Sequence, residues 1–188
     1  MTWNRQALSR LAALGLIGGL LQLAAVSQIA FFGVPADLGP LLAAFVGLLG
    51  GSLAGATFGF SFGLLIDVAL LQTIGITSLV LTGVGYAAGR LLELRDPAHG
   101  LIPLAVGVAA TAAYAVAVSL IQFLLGVEAP VSMLLLRQVV LAIVLNALIA
   151  LPLHGLVRRL LEPVLPDDPR RRRRRAYTTG GLSPISRA

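Results

Sequence analysis

The chain has 188 residues, of which 57% are hydrophobic and only 12% charged, with a mean hydropathy of +0.93. That composition excludes a water-soluble globular domain and reads as a polytopic membrane protein. Zero cysteines exclude disulfides, thiolate metal sites and cysteine nucleophiles, and of the net charge of +6 the last 24 residues supply +5. His99 and His154 lie far apart beside expected span ends, so no metal centre is expected. All fourteen basic residues are Arg, which we read as a coding bias without functional weight.

Arg5 and Arg10 precede an uncharged run over 11–36 that is long enough to cross a hydrocarbon core of about 30 Å. A basic start followed by Ala25 and Ser27 also fits a cleaved leader, but the apolar run continues through Phe31 and Phe32, which favours a retained span. Pro35 and Asp37 then form a short polar break on the far side.

Residues 38–66 form 29 consecutive uncharged positions, about 43 Å as one helix. Charge decides whether this is one span or two. The N-terminal end, the segment between Arg90 and His99, and the C-terminal end with Arg158 and Arg159 are all basic, so all three should face the cytoplasm, which requires an even number of crossings. Splitting the run near Gly50, Gly51 and Ser52 satisfies every loop. The expected fold is therefore an all-α bundle of about six transmembrane helices, with both termini cytoplasmic. Its spans are 11–31, 38–50, 53–70, 76–92, 101–125 and 132–157, the second and third short or partly re-entrant. The membrane domain occupies 1–164, and Asp37, Asp67 and Glu128 fall at or near the outer side.

Within this frame Gly47, Gly51, Gly55, Gly59, Gly63 and Asp67 recur at every fourth position. Small residues at that spacing form a groove that lets another backbone approach, the usual basis of helix association in lipid. Each four-residue step overshoots a helical turn by about 40°, so no single straight neighbour follows all six. The ridge is expected to break into a Gly47–Gly51 edge and a Gly59–Gly63–Asp67 face. Gly55 belongs to the same packing or partner interface, and Gly85 and Gly89 on the fourth span, with Gly83 and Ala87 interleaved, form a candidate partner surface.

The fifth span is rich in Ala and Val, interrupted by Thr111, Tyr114, Ser119 and Gln122, which we read as local or interhelical hydrogen-bonding groups. The sixth carries Arg137 and Asn146. Arg137 lies five residues from the expected outer end, so snorkelling to headgroups accounts for it; the sharper alternative is an intramembrane ion pair with Asp67. After the last span, residues 165–188 lack apolar periodicity and should be disordered. Arg170, Arg171, Arg172, Arg173, Arg174 and Arg175 form a run suited to anionic lipid or an acidic partner, each Arg contributing about 1 kcal/mol near a charged membrane surface. Nucleic acid is not expected, because the tail is membrane-tethered and has no interleaved aromatics.

Pro35 to Leu38, then Gly55, Gly59, Phe60, Gly63, Leu64 and Asp67, then Gly75 to Leu79 and Gly85, Tyr86 and Gly89 stand in an order that resembles the bacterial rod shape-determining protein MreD family. The basic tail with Tyr177, Thr178, Thr179, Gly180 and Gly181 is similar to actinobacterial-type members. The resemblance implies a non-enzymatic scaffold or regulator in the bacterial inner membrane, without cofactor. It would support lateral peptidoglycan synthesis with an MreC-like protein and, through it, MreB, RodA and a class B penicillin-binding transpeptidase; pairing with a second copy is left open. The residues themselves show no metal-ligand cluster, no phosphate-binding glycine loop and no nucleophile–base pair. The competing class is the substrate-binding membrane subunit of a vitamin-type transporter, also a chain of about six spans, in which Asp67, Arg137 and Asn146 would line a pocket.

Overall fold

The computed structural model describes residues 5–28, 30–31, 34–35, 37–94, 101–126, 133–161 and 163. Glu128, His99 and the arginine run of the tail, on which parts of the sequence reading fall, lie outside them. The described residues form six helices: α1 (Arg5–Gln28), α2 (Gly39–Gly50), α3 (Ser52–Ala69), α4 (Ile76–Leu94), α5 (Ile102–Leu124) and α6 (Met133–Leu161). The first span was expected to run to Phe31, but the helix ends at Gln28. A minimal antiparallel hairpin follows, β1 (Ala30–Phe31) against β2 (Val34–Pro35). The nearby Gly33 and Pro35 favour a turn over helix.

Among the described residues four segments are long and apolar enough to cross a membrane: Arg5–Ala24, Ser52–Ala69, Ile102–Leu124 and Val139–Leu161. α2 has 12 residues, about 18 Å of helix, and cannot span the core alone. It is also buried all round from Gly39 to Leu48, as a helix with no polar face must be. Leu41, Leu42, Phe45 and Val46 of α2 form the centre of the core, packed on Phe58, Phe62 and Ile66 of α3, Leu81 of α4, Leu14 of α1, and Ala150 and Val157 of α6. Phe58 stacks on Phe62 at 5.6 Å, and Phe45 meets His154 edge-on at 5.2 Å. The outward leucines and valines, such as Leu16, Leu20, Val116, Leu120, Val144 and Leu148, are exposed, which only a lipid surround tolerates in this number.

The register of the helices follows from a few contacts. Arg10 Nη1 donates to the Leu160 carbonyl at 2.9 Å, tying the start of α1 to the end of α6. Ser52 at the start of α3 meets Glu93 at the end of α4. Arg5, Arg10, Arg90, Arg158 and Arg159 therefore share one end of the bundle, the basic end, while Arg137 stands exposed near the start of α6 toward the other. The chain turns back at Gly51, where φ is +91° and ψ 174°. L side chains rarely adopt that backbone, which is why the break falls there and not earlier in the apolar run.

Candidate functional site

The glycines come together through this turn. Folding α2 back along α3 makes Gly47 and Gly55 face each other, and α4 lies across both. A Cβ added to Gly47 would strike the Gly85 carbonyl, and one on Gly55 would meet Gly85 and Gly47 backbone. One on Gly59 would strike the Leu81 carbonyl, one on Gly63 the backbone at Ser78, and one on Gly89 the backbone at Ser52. The ridge was expected to offer separate faces to different neighbours, yet both pieces meet the same helix, because the Gly51 turn cancels the drift that a straight helix would accumulate. Gly55, Gly59, Gly63, Gly85 and Gly89 are thus filled by the chain's own backbone.

Both ends of the α3–α4 pair are closed by carboxylates. Asp67 Oδ2 accepts the Gly75 N–H at 2.8 Å and, more weakly, the Ser78 N–H at 3.4 Å, capping the start of α4 from the last turn of α3. At the basic end, Glu93 Oε1 accepts the Ser52 N–H at 3.1 Å and its hydroxyl at 2.6 Å, capping the start of α3 from the last turn of α4. Each helix therefore supplies the carboxyl group that accepts from the other's orphan N–H groups. The expected Asp67–Arg137 ion pair is not formed. Asp67 is 0% exposed and turned to the α4 N-terminus, Arg137 is exposed on α6, and the ion pair recorded among the described residues is Arg90–Glu93 at 2.9 Å. The physical reason is proximity: N–H groups eight and eleven residues ahead reach the carboxylate through one tight turn.

A second polar assembly lies deeper and draws on four more elements. Asp37, expected in a short polar break on the outer side, stands half-buried just before α2 at the end of the bundle away from the basic end. Its Oδ1 accepts from Gly39 N at 3.0 Å and Gln22 Nε2 at 3.2 Å, while Gln22 Oε1 accepts the Leu38 N–H at 2.7 Å. Asn146 Nδ2 of α6 donates to the Asp37 carbonyl at 2.8 Å and to Thr111 Oγ1 of α5 at 3.1 Å. Tyr114 of α5 lies beside the Asp37 carboxyl group and Thr77 of α4. Gln22 and Asp37 were missed as site residues. A signal existed: Asp followed two and three residues later by Gly39 and Pro40 is a helix N-terminus signature, and polar Gln22 interrupts an apolar span. Two buried oxygens in these assemblies, Asp67 Oδ1 and Asn146 Oδ1, have no hydrogen-bond partner among the described residues.

Above this assembly, at the end of the bundle away from Arg5, Arg10, Arg90, Arg158 and Arg159, a cleft of about 390 Å³ opens between the α3–α4 turn, α4 and α5. Its walls are apolar at Leu71, Ile76 and Val118 and uncharged polar at Gln72, Thr73, Thr77, Tyr114 and Gln122. Tyr114 connects its floor to Asp37. At its rim Leu71 takes a positive φ of 53° and is 93% exposed, and Ile74 beside it is 68% exposed. Among the described residues no group of three or more His, Asp or Glu side chains is placed to hold a metal.

No curated protein and no solved structure matches the chain. The family of the rod shape-determining protein MreD matches it over residues 8–163, from the second turn of α1 to just beyond α6, and so takes in the glycine block, both caps and the cleft. The chain belongs to the MreD family of rod shape-determining membrane proteins.

Proposed function

We propose that this protein acts as a non-enzymatic scaffold of the cell-elongation complex in the bacterial inner membrane, and that the cleft opposite the basic end is where it receives its partner. The observation that carries this reading is the rim. Two apolar residues of the α3–α4 turn, Leu71 and Ile74, stand exposed beside an open cleft on the most tightly locked pair of helices in the molecule. Exposed apolar groups on a rigid support beside a concavity suit docking of an extended or helical segment. In this reading the partner is an MreC-like single-span protein, through which MreB, RodA and a class B penicillin-binding transpeptidase are reached. The basic end faces the cytoplasm by the positive-inside rule. There Arg170 through Arg175 hold anionic lipid.

Co-expression with an MreC-like partner and purification in mild detergent tests it. Stoichiometric retention is expected, with Leu71→Ser lowering retention several-fold at unchanged yield of the folded chain. A second reading has the cleft volume in its favour, since about 390 Å³ falls within the range of small-molecule pockets. A transporter-type subunit would instead purify with a stoichiometric metabolite and without the partner.

A further inference from the structure

Pro152 lies inside α6 and changes what the outward face of that helix needs. It has no N–H, so the Leu148 carbonyl four residues earlier loses its helical donor, although α6 continues as α-helix to Leu161. Leu148 stands about 15 Å along the helix from Arg158, near the middle of a hydrocarbon core of about 30 Å. Acyl chains supply no donor at that depth, and an unmatched carbonyl there is costly. Such a carbonyl is usually met by a neighbouring Ser or Thr, but α6 has neither. Its own polar groups on this stretch are committed inward: Asn146 Nδ2 donates to the Asp37 carbonyl and to Thr111, and His154 lies edge-on to Phe45. Leu148, Pro152 and Gly155, four and three residues apart, share one face with Val144. That face is open among the described residues. Leu148 is 78% exposed, Val144 and Pro152 are exposed, and a Cβ added to Gly155 would meet nothing within 4 Å.

We infer that this face of α6 seats a membrane-spanning helix of another protein, one that presents an amide or hydroxyl donor at mid-span to the Leu148 carbonyl and brings its backbone close at Gly155. The donor follows from the unmatched acceptor, and the close approach from the open space at the glycine. A second copy on a two-fold axis would set α6 against α6, whose outward face at Val144, Leu148, Leu151 and Pro152 has no donor to give at this depth. The site goes beyond the cleft and is independent of it, since α6 does not line the cleft.

The test uses the full chain in phosphatidylcholine vesicles and two lysine-flanked polyleucine helices that differ only at mid-span, asparagine in one and leucine in the other, at a dilution where neither peptide self-associates. The chain has no cysteine, so Gln6→Cys carries a single donor dye and the peptides carry the acceptor. Energy transfer should show the asparagine peptide binding about 3-fold tighter or more. Pro152→Ala returns an N–H to the Leu148 carbonyl and should bring the two peptides to parity with no loss of thermal midpoint. Gly155→Leu fills the open space and should lower the affinity for the asparagine peptide at least about 3-fold. Equal binding of the two peptides by the unaltered chain, a preference that survives Pro152→Ala, or binding indifferent to Gly155→Leu overturns the proposal. So does energy transfer between two copies of the chain that Pro152→Ala abolishes, because a second copy then fills the face.

Discussion

The α3–α4 pair and the α5–α6 pair are both antiparallel helix pairs in the same bundle, but they are held by opposite means. Between α3 and α4 the contact surface is backbone on backbone: Gly55 on Gly85, Gly59 on Leu81, Gly63 on Ser78, Gly89 on Ser52. Carboxylate caps close both ends, and Ser78 Oγ reaches the Phe60 carbonyl at 2.9 Å in between. α5 and α6 meet through side chains, with Gly107 close to Ala150 and Asn146–Thr111 as a buried hydrogen bond between them. In lipid, apolar burial gives little net gain, so close approach and satisfied polar groups must hold helices together. The first pair has both, at Gly55, Gly59, Gly63 and Gly89 and at its two caps, while in the second they meet at Gly107, Ala150 and the Asn146–Thr111 bond. The molecule therefore has a stiff half that shapes the cleft and a looser half that closes it through Tyr114 and Val118.

The largest expected effect tests the stiff half. Gly55→Val places two methyl groups where the Gly85 carbonyl and the Gly47 backbone already lie, and neither is the movable end of a side chain. Overpacking of this kind costs about 3 kcal/mol or more, at the upper end of what cores tolerate, and should leave little folded protein by fluorescence-detected size exclusion. Gly83→Val is the internal control. Gly83 lies on the same helix as Gly85 but has open space at its Cβ, so its thermal midpoint should shift by less than a tenth of the Gly55 effect. Equal effects at the two positions would mean that glycine is needed for α4 itself and not for its contact with α3.

The next effect separates capping from ion pairing at Asp67. Asp67→Ala removes the acceptor for the Gly75 and Ser78 N–H groups and should cost about 1–2 kcal/mol, whereas Asp67→Asn retains an oxygen and should cost less than half of that. Arg137→Gln should leave the thermal midpoint unchanged. If Arg137→Gln destabilised as much as Asp67→Ala, and the double variant no more than either, the two residues would be energetically coupled despite their separation.

How much of this was legible in the sequence depends on how far apart the cooperating residues are. The break at Gly51 was readable, because consecutive small residues in an overlong apolar run and the parity of basic loops point to the same place. The glycine spacing was readable as close packing, but not its direction: the drift argument holds for a straight helix and fails once the chain doubles back. Asp67 was readable as the end of the ridge and its partner was not, since a backbone N–H has no signature in sequence. The Gln22–Asp37–Tyr114–Asn146 assembly was legible only in fragments. Its hydrogen bonds join residues up to 109 positions apart, and each member alone resembles an ordinary polar interruption of a span. Only the order of Asp37, Gly39 and Pro40 marks a helix start, and a start near residue 38 was legible while the enclosure of the 12-residue helix on all sides was not.

The smallest effect concerns the other cap and bears on whether the stiff half is closed equally at both ends. Glu93 is exposed at the basic end, where water and salt screen its interactions, and it divides its oxygens between Ser52 and Arg90. Glu93→Gln keeps an acceptor for the Ser52 N–H, so the thermal midpoint should barely move. The change should instead appear locally, as faster hydrogen exchange of the Ser52 amide and of the first turn of α3, with protection near Gly63 and Asp67 unchanged. Equal loss of protection at the two ends would mean that the glycine contacts do not isolate one cap from the other and that α3 and α4 open as one unit. Confinement to the first turn of α3 would place the rigid support of the cleft in the glycine contacts and the Asp67 cap, with the basic end free to fray without disturbing it.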